Sequence, residues 1–594
     1  MSVQSSNYST NGNAEAATGP SASENTGAFQ SVKTYLSNKD YKFYLCLSAT
    51  AVLVGAGVYY FSSSPKSKKK KRPPKRRHQG TGVKKSEPRS AKNKEDVVEY
   101  EKFTPEQIEA LPMEKRIDAA QTLKERGNRA FGAKRYGKAI DLYTSALAFN
   151  KDSIYYSNRA ACYFHTQQYE NTINDCNEAL VIDKHYIKAL NRRASAYEFT
   201  KQNRTALNDY TASCIMDNFR NESSAEAIER LSKLVAQEEA HEMMRDRPSR
   251  LPSTKYVARY FDAYGIDKRR RADGGTNGEI TSDSENKGEE YYEKAMQHVR
   301  QHRWQEAMEA FDKAIELGCS HMAEAYEYRG SFHFLCASTD KALADLNKAL
   351  ELKPDFTRAH LKKATIYMEQ NNGEEANSEF ETAIRKDPNN ADIYYHRGQV
   401  NFVTNKLEDA IKDYEKSIQL YDKYLYTHVQ LGLAKYRLGF IEEGYSILEK
   451  CLEKFGESSD IHNFLGELCY DLQRFDEALA NFEKAISLGA DDAAPYVNKA
   501  LLCLQKQDPA QAEEFCHKAL EIDPESDVAL NAMSQILHTQ NKVEEALTYM
   551  KRAVDLARTE EELAAALQYV EIAKAQLEFQ RNYPERANEL SMRR

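Results

Sequence analysis

Proline (15) and glycine (25) are scarce in this chain of 594 residues, and tryptophan occurs once. With so few helix breakers, and with Ala, Leu, Glu and Lys plentiful, long helices are favoured. The ten cysteines contain no C-x-x-C pair and no spacing typical of a metal site. They read as reduced core thiols of a cytosolic body. Gly274-Gly275 has no following Lys-Ser/Thr and no accompanying strand, so it is not a phosphate loop. His298 and His302 stand four apart, with Glu306 four further on, but Trp304 falls where the chain turns. No metal, no cofactor and no catalytic residue is expected.

Long uncharged runs are equally rare, and the one present is informative. Phe43 to Phe61 is nineteen residues without a charge, about 28 Å as a helix and just enough to span a bilayer core. Tyr41, Tyr44, Tyr59 and Tyr60 lie where interfacial aromatics belong. Residues 66–85 carry eleven Lys/Arg and no acid, although the whole chain has a net charge of −7. A basic neck on an acidic body suits an anionic lipid surface and argues against nucleic acid. The positive-inside rule then directs the large C-terminal body to the cytosol. The short, moderately apolar span with a dense basic flank suits the mitochondrial outer membrane, while the endoplasmic reticulum stays open.

The strongest signal is a period. Small residues recur at Ala314, Ala349, Ala383, Ser417, Cys451, Ala485, Ala519 and Ala553, one interval of 35 and then six of 34. A second series, Gly330, Ala364, Gly398, Gly432, Gly466, Ala500 and Ser534, steps by 34 throughout. Two small residues per repeat let paired helices approach closely, and this helix–turn–helix period identifies the tetratricopeptide family. Ala146, Ala179 and Ala212 mark a shorter array spaced by 33. The expected fold is all-α: a tetratricopeptide superhelix of about 3 + 8 repeats behind a single N-terminal transmembrane helix. The expected boundaries are a disordered tail 1–40, anchor 41–62, basic neck 63–110, repeats one to three 111–220, linker or hinge 221–288, repeats four to eleven 289–558, and a polar-faced capping helix and tail 559–594. Repeats and cap leave no 200-residue stretch for a catalytic domain, so an enzyme is not expected.

Positions linked by steps of three and four share one face of a helix. In each first helix of such repeats that face lines the concave groove. Repeat one places Lys124 and Asn128 there, repeat two Asn158, and repeat three Lys188 and Arg192. Three cations and two amides from adjacent helices form a donor-rich pocket suited to paired carboxylates, such as a peptide C-terminus ending in Asp. The set resembles the two-carboxylate clamp of co-chaperones, which implies the Glu-Glu-Val-Asp tails of the seventy- and ninety-kilodalton heat-shock chaperones as ligands. In the second array the same rule selects Glu324, Glu327, Tyr328, Tyr395, His396, Tyr426, Phe464 and Glu467. This mix of aromatic and acidic groups could hold apolar or basic segments, or could simply pack between repeats.

From about residue 40 onward the chain resembles the seventy-kilodalton receptors of the mitochondrial outer-membrane import translocase. The likeness is sharpest in LKERGNRAF (123–131), YYSNRAACY (155–163), NRRASA (191–196) and YYHRGQVNF (394–402). It implies that the clamp docks chaperones, that the second array receives their mitochondrial precursor clients, and that these pass to the translocase core. It also implies an N-terminus in the intermembrane space. A tetratricopeptide co-chaperone or translocon receptor in the endoplasmic-reticulum or peroxisomal membrane is the alternative.

Overall fold

The computed structural model describes residues 99–265 and 287–592. All the regular structure among them is helical. A short helix, α1 (Pro105–Glu109), precedes three helix pairs: α2 (Met113–Gly132) with α3 (Tyr136–Phe149), α4 (Ser153–His165) with α5 (Tyr169–Ile182), and α6 (Ile187–Phe199) with α7 (Asn203–Met216). Next come α8 (Glu222–Met244) and α9 (Thr254–Ala263). Eight further pairs, α10 to α25, run from Lys287–Arg300 to Val543–Leu556. The chain closes with α26 (Glu560–Asn582) and α27 (Pro584–Met592). No described helix is long and apolar enough to cross a membrane; the expected anchor at 41–62 lies outside the described residues.

The small residues of the period hold each pair together. Ala146, Ala179, Ala314 and Ala349 are fully buried, where a larger side chain would push neighbouring helices apart. Glycine in the first helix makes room for a ring of the second. A Cβ on Gly127 would stand 2.6 Å from the Tyr143 ring, and one on Gly466 would stand 2.5 Å from that of Phe482. The same sixteen-residue offset carries a charge pair. Arg159 binds Asp175, Arg193 binds Asp209, Arg329 binds Asp345 and Arg397 binds Asp413, each through two nitrogens at 2.6 to 3.0 Å. These forked pairs fix the rotation of one helix against the next as well as adding attraction. The nine described cysteines are all buried and unbridged.

Two segments differ from the sequence expectation. The expected linker holds two helices, and α8 packs along α26. The capping helix is not polar-faced, because it has neighbours on both sides. Ala575 of α26 joins Ala194, Leu207 and Leu231 of the first three repeats and α8 in one apolar cluster. Leu563, Leu567 and Val570 of α26 join Ala236 of α8 and Val554 of α25 in another. Glu571, 1% exposed, accepts from Arg204 of α7 at 2.7 Å and from Lys574 at 2.6 Å. A helix in a repeat array shows a polar outer face only where nothing stacks on it; α26 is instead a wall shared by both arrays.

Candidate functional site

In the first array the predicted clamp residues lie on α2, α4 and α6, and contacts tie the three helices together. The Asn158 amide donates to Asn128 Oδ1 at 3.3 Å, and the Tyr143 hydroxyl donates to the same oxygen at 2.7 Å. Arg192 donates to the Ser157 carbonyl at 2.7 Å and also to its hydroxyl. Lys124 stands one turn before Asn128 and donates to Gln121 at 2.8 Å. Lys188 stands one turn before Arg192. Among the described residues, Lys124, Lys188 and Arg192 form no ion pair with a carboxylate of this chain. Arg193, next to Arg192, points the other way into the Asp209 pair.

Beside Arg192 opens a pocket of about 180 Å³ lined by Phe131, Ala161, Phe164, His165, Arg192 and Ser195. The ring of His165 stacks on Tyr136 at 4.9 Å and packs against Phe131 at 5.4 Å. This aromatic wall was missed in the sequence. Its signal is there, since Phe131, Phe164, His165 and Phe199 fall four or five positions after the small residues Gly127, Ala160 and Ala194 of the first helices. One turn beyond the clamp face, they put an apolar recess next to a cationic one, which fits a peptide with an acidic end and an apolar residue nearby.

In the second array the eight predicted groove residues do not form an open surface. Glu327, Tyr395, His396, Phe464 and Glu467 are 4% exposed or less. Phe464 is core. Glu467 accepts from Asn463 at 2.9 Å and from Asn498 at 2.8 Å. Tyr395 packs between Tyr414 and Tyr424. Glu324 pairs with Lys353 at 3.1 Å, and the Tyr426 hydroxyl donates to Asp460 at 2.7 Å. Of the remaining three, two meet another part of the chain directly and Glu327 meets it through Lys362. His396 stacks on Tyr264 at 4.2 Å, and Tyr328 packs against Phe261 at 5.4 Å. Glu327 is paired with Arg358 at 3.3 Å and with Lys362. The Lys362 ammonium in turn faces the rings of Tyr260, Phe261 and Tyr264 at 5.0 to 5.5 Å. Tyr260, Phe261 and Tyr264 belong to the segment expected as a linker, which therefore lies across this face.

The electrostatics of that contact follow from burial. For Glu327 burial disfavours the charged form, but Arg358 and Lys362 outweigh it and hold the carboxyl below its usual range. Burial is also the largest influence on Lys362, bringing its ammonium down to about 8 against the opposing pull of Glu327. His396 is held down to about 3, chiefly by burial, with its hydrogen bond to Ala263 opposing and Lys362 assisting. The ring is therefore neutral, and since a carbonyl can only accept, Nε2 donates to Ala263 O at 3.2 Å. A folded pKa below the unfolded one means that fewer protons are bound in the folded state. The stabilising contribution of His396 is thus complete above pH 6.5 and is lost as pH falls from there toward 3. Urea unfolding from pH 7 to 5 should show a loss of about 1–2 kcal/mol that His396→Phe removes. An unchanged pH slope in the variant would contradict this placement of the ring.

Models of the family described as tetratricopeptide repeat match residues 292–355, 361–424, 429–495 and 491–559. Over 501 residues the chain is 28% identical to the mitochondrial import receptor subunit TOM70 of Saccharomyces cerevisiae, covering 77% of this chain and 80% of the relative. The crystal structure of yeast Tom70 superposes with a TM-score of 0.50 at 28% identity, over 79% of this chain and 98% of that one. The human mitochondrial import receptor subunit TOM70 is 30% identical over 494 residues, covering 79% of this chain and 81% of the relative. By its two helical arrays and its likeness to these receptors along most of their length, the chain belongs to the Tom70 family of mitochondrial import receptor subunits.

Proposed function

We infer that this chain is an import receptor of the mitochondrial outer membrane that docks cytosolic chaperones and takes over the precursor proteins they carry. The observation that carries the first half is the contrast between neighbours on one helix. Arg193 is locked by Asp209, whereas among the described residues Arg192, Lys188 and Lys124 have no carboxylate partner. Cations kept unpaired on a concave face await an anionic ligand. The C-terminal Glu-Glu-Val-Asp tails of the seventy- and ninety-kilodalton chaperones supply paired carboxylates with an apolar valine between, matching the clamp and the pocket beside it. The second, larger array then receives the client, and the translocase core takes it onward. Residues 41–62 anchor the body to the membrane, with the N-terminus in the intermembrane space and the basic neck against anionic lipid. The chain acts as a receptor and not as an enzyme.

A fusion of residues 1–90 to a fluorescent protein tests the anchor. It should coincide with a mitochondrial outer-membrane marker. An endoplasmic-reticulum or peroxisomal pattern would refute this membrane assignment in favour of a chaperone-docking receptor elsewhere.

A further inference from the structure

The segment from Arg247 to Tyr264 lies along the second array as a bound peptide would. Its helix, α9, has ten residues, fewer than an isolated helix needs to be stable in water. Contact with the array is what keeps it helical. One side of α9 and the residue that follows it is covered, with Val257, Tyr260 and Tyr264 no more than 3% exposed. Phe261 packs on Trp304, Tyr328 and Phe332 at 5.2 to 5.6 Å. The array also holds both ends of the helix. Trp304 Nε1 donates to the Thr254 carbonyl at 3.1 Å, and His396 Nε2 donates to that of Ala263.

Along the rim the charges are sorted. Cations stand on the segment and acceptors on the array: Arg250 with Glu525 at 2.8 Å, Arg259 with Asp492 at 3.2 Å, and Lys255 with the Asp491 carbonyl. A connection between domains needs none of this. Aromatic anchors in a pocket, a helix that exists only when docked, and complementary charges at the rim are the marks of a helix-in-groove ligand.

We propose that α9 is a resident ligand of the second array, held in cis, and that a client segment of the same chemistry must displace it. That chemistry is a short amphipathic helix with two adjacent aromatics, a third aromatic one turn on, and a flanking arginine. The proposal rests on the reading of the second array as the client site. Because α9 is tethered, it competes at high effective concentration. The apparent affinity for any external segment is then the intrinsic one reduced by the fraction of chains with α9 undocked.

The probe is a fluorescein-labelled peptide of residues 252–265, titrated by anisotropy into the full-length chain. Arg259→Glu weakens α9 at the rim, leaving its buried face intact, and Ala258→Pro breaks its helix. The peptide should bind at least about threefold more tightly to Arg259→Glu than to the unaltered chain, and more tightly still to Ala258→Pro. The single tryptophan reports on the same exchange. In Ala258→Pro, Trp304 emission should shift to the red, and it should return when unlabelled peptide, which has no tryptophan, restores the Phe261 contact. Equal affinity in all three chains, or unshifted Trp304 emission in Ala258→Pro, would overturn the proposal.

A targeting peptide from a mitochondrial precursor separates this claim from the one beneath it. If it competes with the probe but binds all three chains equally, the exchange is wrong and the client site stands. If it never competes while the probe still prefers the variants, α9 is a displaceable ligand and the client reading is wrong.

Discussion

Arg192→Ala should weaken binding of a Glu-Glu-Val-Asp peptide and leave stability unchanged, whereas Arg193→Ala should lower stability and leave the contacts to the peptide in place. Among the described residues, the guanidinium of Arg192 is hydrogen-bonded to the backbone and hydroxyl of Ser157 and to no carboxylate. Its removal uncovers no buried charge, so the melting temperature should barely move. In the complex it supplies a charge-assisted donor, and losing that costs about 1.5–3 kcal/mol, roughly ten- to a hundredfold in affinity. Arg193 holds Asp209 through two bonds of 2.7 Å. Burial already raises the Asp209 carboxyl above its usual range, with Arg193 opposing. Breaking a buried pair on one side leaves an uncompensated charge, at a cost of about 3–5 kcal/mol. Urea unfolding and anisotropy on both variants test the pair of predictions. Similar losses of stability in the two would contradict the division of labour between adjacent arginines.

Leu567→Ala should lower the stability of both arrays together. Leu567 is 3% exposed and sits in the cluster that joins α8, α25 and α26. Truncating a buried leucine costs about 2–5 kcal/mol, according to how far the surroundings close over the cavity. Because α8 and α26 also contact the last of the first three repeats, the loss reaches the clamp side. Hydrogen exchange should quicken both in residues 203–244 and in residues 527–556. Faster exchange confined to the second span would show that α26 is only a cap.

Much of this was legible beforehand because a repeat writes its packing into a period. The buried alanines stand where spacings of 33 to 35 put them, and the close-contact Gly466 where its series of 34 does, since each repeat meets the same neighbour on each side. The five residues proposed for the clamp are chosen from their place on a helix face, which fixes direction without long-range information. Arg193 was harder, because its partner is on the next helix. Yet Arg159/Asp175, Arg193/Asp209, Arg329/Asp345 and Arg397/Asp413 share one offset of sixteen, a signal that a search for repeated opposite charges would find.

Two features lay beyond such reasoning. The α9 segment follows Leu-Pro-Ser and ends at Gly265, so it reads locally as loop; its helix depends on Trp304, Lys362 and His396 lying far along the chain. In the same way α26 reads as a cap until α8 is seen on its other side. Both are tertiary facts, set by which elements meet, and periodicity within one segment carries no information about them.

The central claim is that one chain keeps two ligands apart, a chaperone tail in the first array and its client in the second. Site-specific photocrosslinking in the membrane-bound chain tests it most directly, with benzoylphenylalanine in place of Gln121 beside Lys124, or in place of Glu324, whose side chain is 26% exposed. When a chaperone-bound precursor is presented, the probe at 121 should capture chaperone and the probe at 324 should capture precursor. Precursor captured at 121, or chaperone alone captured at both, would contradict the account.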